Sequence, residues 1–202
     1  MPLWLSSLPL VLASKSEVRG KILGAAGLRV EIRPAQIDER AIEKEAGPLD
    51  AAQAAALLAR AKALTVAGSL PGRLVLGADQ TLALGARRFD KPADRAAAGE
   101  QMRALRGKTH ELHSALAVVR DGVVLFEYAD VARLTMRAFD DEYLDSYLEL
   151  AGAAALASVG GYQIEGAGIQ LFERIEGDYF TILGLSLLPL LDFLRQQGVI
   201  AK

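Results

Sequence analysis

Cysteine is absent from this 202-residue chain, and histidine occurs only twice. The missing thiols exclude disulfide scaffolds, thiolate metal sites and cysteine nucleophiles, and their absence is compatible with a reducing cytosol. We therefore expect a cytoplasmic location. With only two histidines, the composition disfavours a zinc site and leaves hard oxygen ligands for any metal.

The chain also lacks a strong charge of either sign. Its 23 basic and 25 acidic residues give a net charge of −2 at pH 7, and the isoelectric point is near 5.8. No global field attracts nucleic acid, so we expect no nucleic-acid partner, and any anion site must be a local cluster. A hydrophobic share of 51% with 24% charged residues is typical of a globular protein and argues against disorder.

Long uninterrupted hydrophobic runs are missing too. The apolar segment at residues 1–12 has no basic residue before it and is interrupted by serines and a proline, so it does not resemble a signal peptide. The segment at 183–194 is too short to span a bilayer and contains Pro189 and Asp192. We expect a buried first strand, a final core helix and no membrane partner.

Strand-like and helix-like segments alternate along the chain, which predicts an α/β protein with a mixed sheet. Asp121 and Gly122 form a strong hairpin signal between two strands, and Asp50 with Gln53 has the form of a capping box. Strands are predicted at 8–13, 28–33, 74–84, 110–120, 123–137 and 169–175. Helices are predicted at 17–26, 50–67, 94–105, 140–150 and 186–198. No long linker or internal repeat interrupts the pattern, so we expect a single domain over residues 1–202.

A first candidate site lies where the first strand ends and the first helix begins. Ser14, Lys15, Ser16 and Arg19 stand there, and the free backbone N–H groups of a helix start attract anions. The glycines and spacing of a Walker motif are missing. A serine that only caps the helix is the simpler interpretation.

A second candidate is the pair Asp79 and Gln80 in the middle of an apolar strand. A buried carboxylate costs several kcal/mol unless it is paired, hydrogen-bonded or bound to metal. The alternative is an aspartate on an edge strand that reaches solvent. Glu39, Lys62 and Lys91 are further candidates, although a lysine alone is usually a solvated or snorkelling side chain.

The two histidines, His110 and His113, are three residues apart on a predicted strand and would face opposite sides of the sheet. The helical metalloprotease motif needs histidines four residues apart. We expect an ordinary strand entry here.

Taken in order, these segments resemble the Maf family of nucleoside triphosphate pyrophosphatases over nearly the whole chain. The chain departs from the family at Glu17, where proline is usual, at Gly20, where a second arginine is usual, and at Ser186, again a usual proline. We expect the change at Ser186 to affect how the last helix starts. The matching segments are Leu12–Arg19, Asp38–Glu39, Ala61–Ala63, Gly77–Gln80, Lys91–Pro92, Leu105–His110, Tyr162–Gly166 and Gly184–Leu187.

The resemblance implies an α/β fold of the Maf/ITPase-like kind, with an elongated mixed β-sheet flanked by helices and two lobes around a central cleft. It also implies a homodimer. The implied reaction is hydrolysis of a nucleoside triphosphate, possibly a modified one, to the monophosphate and pyrophosphate. Water attacks the α-phosphate with the help of a divalent cation, Mg²⁺ or Mn²⁺.

Roles for the candidates follow from this resemblance. Asp79 becomes the proton acceptor, and Glu39 with Asp79 the metal ligands, because Mg²⁺ prefers carboxylate oxygen. Lys62 and Lys91 add catalytic positive charge, since phosphoryl transfer depends on positioning and charge neutralisation. The phosphate-binding candidates are Ser14, Lys15, Ser16 and Arg19.

In the family, residues corresponding to Val18, Gln80 and Glu165 contribute to base selection. Gln80 and Glu165 are similar to the subgroup that prefers 7-methyl-GTP, whereas the dTTP/UTP subgroup tends to have Thr and Gln there. Val18 departs from that first subgroup, in which an aromatic residue is usual. A broad nucleotide preference is equally compatible with these residues.

Two other functions stay open at this point. A related enzyme could split the triphosphate at another bond and release orthophosphate. A non-catalytic nucleotide-binding regulator linked to septum formation is the alternative from a different class, and the intact set Glu39, Lys62, Asp79 and Lys91 argues against it. A purely structural module is disfavoured by so many polar groups in apolar segments.

Overall fold

The computed structural model describes residues 3–202, so Met1 and Pro2 of the apolar N-terminal segment lie outside the described residues. Among the described residues, no helix is both long and apolar enough to cross a membrane. The strands are β1 (Leu10–Leu12), β2 (Val30–Ile32), β3 (Val75–Leu84), β4 (Arg87–Phe89), β5 (Thr109–Arg120), β6 (Val123–Met136) and β7 (Phe172–Glu176). The helices are α1 (Glu17–Ala25), α2 (Glu39–Ala46), α3 (Ala51–Ala67), α4 (Arg95–Leu105), α5 (Asp141–Ala151), α6 (Ala154–Ala157), α7 (Tyr179–Ile182) and α8 (Leu187–Gln196), with 3₁₀ turns at Val159–Gly161 and Ala167–Leu171.

The strands form one seven-stranded sheet in the order β2-β1-β3-β5-β6-β7, with β4 paired to β3. Strand β1 is parallel to β2 and to β3, whereas β4 and β7 run antiparallel to their partners. The predicted α/β fold with a mixed sheet flanked by helices is confirmed. The central cleft and the single domain over residues 1–202 stay predictions.

Local signals in the sequence correspond to real contacts at two places. The capping box of α3 is complete, because Asp50 accepts a hydrogen bond from the Gln53 N–H (2.8 Å) and the Gln53 side chain accepts one from the Asp50 N–H (3.0 Å). Asp121 and Gly122 both have positive φ, 51° and 75°, as a tight two-residue hairpin requires. Both predictions are confirmed.

One predicted strand differs from the structure at its start, and some elements of the structure were not predicted. Residues 169–171 were expected in a strand but lie in a 3₁₀ turn, because the chain folds back at Gly168, where a Cβ would lie 2.4 Å from the Gln163 carbonyl. Helix α2 was not predicted because it is short and mostly charged and buries no residue, so its sequence resembles a polar connecting segment. Strand β4 was also not predicted, because it is only three residues long and two of them are arginines.

The chain divides into two compact units. The first contains the residues up to Gln80 together with His113–Asp130 and Asp178–Lys202, and the second contains Thr81–Leu112 and Val131–Gly177. In the first unit, leucines of β1, β3 and β5 pack with the apolar face of α8 in one buried cluster that includes Leu12, Leu76, Leu116, Leu190 and Phe193.

Helix α3 lies directly against β3 in the first unit. A Cβ on Gly77 of β3 would lie 2.1 Å from the Ala59 carbonyl oxygen and 2.7 Å from the Ala63 nitrogen. The face of α3 that packs on β3 consists of fully buried alanines, Ala55, Ala59 and Ala63. The backbone of α3 therefore contacts the backbone of β3 directly. This close approach brings Lys62 of α3 to the polar centre of β3.

We expect Gly77→Ala to lower the free energy of unfolding by about 3 kcal/mol, because the added methyl group forces α3 away from β3. The matched control is Gly24→Ala in α1, where nothing lies within 4 Å of the added Cβ. That change should be neutral or stabilise by about 0.5–1 kcal/mol through helix propensity. Urea denaturation measures both, and equal effects of the two changes would contradict the close approach.

In the second unit, His110 at the start of β5 is fully buried against Tyr162 and Phe172. Its Nε2 lies 2.6 Å from the Tyr162 hydroxyl. Burial lowers the pKa of His110 to about 4, and burial raises the pKa of Tyr162 above its ordinary value. The histidine is therefore a neutral core residue at an ordinary strand entry, as the sequence predicts.

This histidine makes stability depend on pH. Its folded-state pKa of about 4 lies below the ordinary 6.5, so the unfolded chain binds the proton first, and stability is lost as pH falls from 6.5 towards 4. The contribution is at most about 3 kcal/mol. His110→Phe should remove this part of the pH dependence, as measured by denaturant unfolding at several pH values. Parallel stability curves for the two proteins would contradict the assignment.

Candidate active site

The start of helix α1 is organised by two serines. Ser16 is the N-cap and its Oγ accepts a hydrogen bond from the Arg19 N–H (3.4 Å). The Ser14 Oγ accepts from the Ser16 N–H (3.2 Å) and from Arg19 Nη1 (3.1 Å). Each hydroxyl is an acceptor in these contacts and retains its own proton to donate to an anion. The two serines can therefore cap the helix and still bind a phosphate. Lys15, which lies between the two serines in the sequence, is exposed.

Arg19 is buried and holds three segments of the first unit together. Its Nε donates to the Gly184 carbonyl (2.7 Å), and its Nη1 donates to the Ala78 carbonyl (2.9 Å) and to Ser14. Burial lowers the pKa of Arg19, and the nearby carboxylates of Asp79 and Glu39 partly offset this effect. These contacts leave Nη2 as the nitrogen that can serve a phosphate. Its predicted phosphate contact stays a prediction.

Asp79 lies in the middle of β3 with only 12% of its side chain exposed. The Lys62 ammonium nitrogen lies 2.6 Å from Asp79 Oδ1 and 2.8 Å from Glu39 Oε1. Lys62 comes from α3, and Glu39 is the exposed first residue of α2. One lysine therefore links two carboxylates from two other elements, and the edge-strand alternative for Asp79 does not apply.

The burial of Asp79 has an electrostatic consequence. Desolvation raises the pKa of Asp79; Lys62 and Arg19 oppose this shift, and Glu39 adds to it. The net direction is upward, so the carboxylate is a stronger base than a solvated aspartate. A raised pKa suits a group that accepts a proton near neutral pH.

The residues present are compatible with a metal that is shared with a substrate. Within residues 3–202 there is no group of three or more His, Cys, Asp or Glu side chains that could form a protein-only metal cage. Mg²⁺ is commonly bound by one or two carboxylates together with substrate phosphates. Asp79 and Glu39 supply such a pair, because Lys62 contacts only one oxygen of each.

Gln80, a predicted base-selective residue, makes its contacts inside the protein. Its Nε2 donates to Ser114 Oγ and to the carbonyls of Thr181 and Ile182, each at 3.0 Å. Ser114 and Thr181 were missed by the sequence analysis. The available signal was a hydroxyl in an otherwise apolar segment, which is the same signal that identified Asp79.

Ser186 does more than start the last helix. It is the N-cap residue of α8, but its side chain makes no capping bond. Its Oγ instead lies 3.1 Å from the Thr181 Oγ1. The hydroxyl therefore belongs to a buried polar cluster, and the effect of this residue on the helix start stays a prediction.

Three further residues were predicted for the site. Val18 is half-buried and packs on the core of the first unit. Lys91, between β4 and α4, and Glu165, in the turn after Tyr162, are both exposed and belong to the second unit. The roles of these three residues stay predictions. The structure brings together Asp79 with the charged groups of Lys62, Glu39 and Arg19.

The fold is a mixed sheet flanked by helices, and its site combines a buried carboxylate of raised pKa with a paired lysine and two serines at a helix start. These features are typical of an α/β enzyme that acts on an anionic substrate. The family model described as "Maf-like protein" matches residues 9–197. The chain belongs to this family. The match extends through the whole first unit apart from its ends, and through all of the second unit.

Relatives carry names that agree with the family. A protein of Rhodopseudomonas palustris (strain HaA2), named nucleoside triphosphate pyrophosphatase, is 57% identical over 201 residues and covers 100% of both chains. A Rhizobium etli protein named 7-methyl-GTP pyrophosphatase is 52% identical over 196 residues, covering 95% of this chain and 97% of its own. A solved HAM1 protein from Coxiella burnetii is 16% identical, with a TM-score of 0.45, and covers 64% of this chain and 73% of its own. A likeness that distant carries no conclusion about the site.

Proposed function

We propose that this enzyme hydrolyses a nucleoside triphosphate between its α- and β-phosphates and releases a nucleoside monophosphate and pyrophosphate. The family and the names of relatives at 52–57% identity support this reaction. The single observation that carries the mechanism is the Asp79 carboxylate, buried in a strand and 2.6 Å from the Lys62 ammonium.

Asp79 orients the attacking water and accepts its proton. The Lys62 contact fixes the orientation of this carboxylate. Burial raises the pKa of this carboxyl, which strengthens it as a base, and Lys62 opposes that rise by favouring the ionised form. Glu39 holds the same ammonium from the other side (2.8 Å) and limits its movement.

The triphosphate binds at the start of α1. The hydroxyls of Ser14 and Ser16, the exposed Lys15 and Nη2 of Arg19 supply donors there, and the helix dipole adds a partial positive charge. Such donors stabilise the charge that develops on the phosphate oxygens and on the leaving pyrophosphate.

A divalent cation, Mg²⁺ or Mn²⁺, would be held by Asp79 and Glu39 together with the substrate. When bound, it neutralises phosphate charge and polarises the reacting phosphate. On the family resemblance alone, Lys91 is a further candidate for a catalytic cation.

The base is selected by residues that include Val18, Gln80 and Glu165, and 7-methyl-GTP is the first candidate substrate. The Rhizobium etli relative bears that substrate in its name, and the exposed Glu165 offers a carboxylate to a methylated, cationic base. The Nε2 of Gln80 is engaged in contacts inside the protein. Only the side-chain oxygen of Gln80 is therefore proposed to contact the base. The proposal also includes a homodimer, which the family resemblance supports, and a cytoplasmic location, which the lack of cysteine supports.

We expect Asp79→Asn to lower the turnover number by at least about a thousandfold, because an amide cannot accept the proton of the attacking water. Substrate binding should persist, since the phosphate donors at the start of α1 and the Glu39 carboxylate are untouched. Pyrophosphate release from 7-methyl-GTP, GTP, dTTP and UTP with Mg²⁺ or Mn²⁺ measures turnover, and calorimetry with a non-hydrolysable analogue measures binding.

The matched control is Asp192→Asn, an exposed aspartate on α8, which should retain wild-type turnover. Unchanged turnover in Asp79→Asn would remove this residue from the mechanism. Orthophosphate without pyrophosphate from the wild-type protein would favour cleavage at another bond. Nucleotide binding with no product at all would favour the regulator.

A further inference from the structure

Thr181 lies in the short helix α7 and is completely buried. Its hydroxyl donates to Asp130 Oδ2 (2.9 Å) and lies 3.1 Å from Ser186 Oγ. A threonine hydroxyl has one proton, which goes to the carboxylate, so Ser186 is the donor in the second contact. The backbone N–H of Thr181 also donates to Asp178 (3.1 Å). The side chain is therefore held from two directions.

The carbonyl of the same residue faces the strand that carries Asp79. It accepts hydrogen bonds from Gln80 Nε2 (3.0 Å) and Ser114 Oγ (2.8 Å). Gln80 is the residue directly after Asp79 in β3. The Thr181 carbonyl therefore anchors β3 immediately after Asp79.

The residue before Asp79 is anchored to the same segment. The Ala78 carbonyl accepts from Arg19 Nη1 (2.9 Å), and Arg19 Nε donates to the Gly184 carbonyl (2.7 Å). Gly184 has φ +87°, a left-handed conformation that favours glycine, and a Cβ there would lie 3.1 Å from Arg19 Nη2. The four residues Thr181–Gly184 thus hold both neighbours of Asp79.

We propose that Thr181 is a positioning residue for the Asp79 carboxylate, acting through Gln80 and Arg19. The inference rests on the proposed function, because it concerns the residue that activates the attacking water. Loss of the Thr181 hydroxyl frees the segment from Asp130 and Ser186, and both anchors of Asp79 shift with it. A small misplacement of a reacting group costs rate and leaves substrate binding nearly unchanged.

The test compares Thr181→Val, which keeps the shape and removes the hydroxyl, with Thr181→Ser, which keeps the hydroxyl. We expect Thr181→Val to lower kcat about tenfold with KM within about twofold of wild type. Thr181→Ser should retain a kcat within about twofold of the wild-type value. The matched control is Thr135→Val in the second unit, which removes a hydroxyl bonded to Thr109 (2.9 Å) and should leave kcat unchanged.

Circular dichroism and thermal melting accompany the kinetics. A folded Thr181→Val with wild-type kcat, or a kcat loss that Thr181→Ser does not restore, would overturn the inference. If Thr181→Val does not fold, Ser114→Ala replaces it, because it removes a contact to the Thr181 carbonyl. Its kcat should fall about threefold, and an unchanged value would overturn the inference. A wild-type protein that releases no pyrophosphate would instead overturn the proposed function, which keeps the two failures distinguishable.

Discussion

The rest of the structure depends on one constraint, the burial of the Asp79 carboxylate in the middle of a strand. A buried carboxylate costs several kcal/mol unless an opposite charge and hydrogen bonds accompany it. Lys62 provides that charge at 2.6 Å, and it can reach only because α3 lies in backbone contact with β3. Gly77 and the alanines of α3 make this approach possible. The small residues of β3 and α3 are therefore needed so that Lys62 can reach the buried charge of Asp79.

The same constraint explains the polar groups around the site. Asp79 must be held in one place if it is to orient a water molecule, and its two neighbours in the chain are both anchored. Arg19 holds the carbonyl of Ala78, and the Thr181 carbonyl holds the side chain of Gln80. Arg19 is thus a structural residue as well as a candidate phosphate ligand. Function and stability share these groups, so changes near the site are expected to affect both.

Much of the fold could be predicted because its signals are local. The capping box at Asp50 and the turn at Asp121 and Gly122 depend on residues close in sequence. The polar Asp79 in an apolar strand marked the site for the same reason. The groups that hold Asp79 in place were harder to predict, because Lys62 alone resembles a surface lysine and Thr181 is 102 residues further along the chain. The 3₁₀ turn before β7 depends on the packing of Gly168 on Gln163, which no local pattern reveals.

The central claim is that water held by Asp79 attacks the α-phosphorus. Hydrolysis of the preferred nucleoside triphosphate in water enriched in ¹⁸O, followed by mass spectrometry of both products, tests it most directly. The account predicts that one ¹⁸O atom enters the nucleoside monophosphate and none enters pyrophosphate, since the new bond forms at the α-phosphorus. Label in pyrophosphate, with an unlabelled monophosphate, would contradict it.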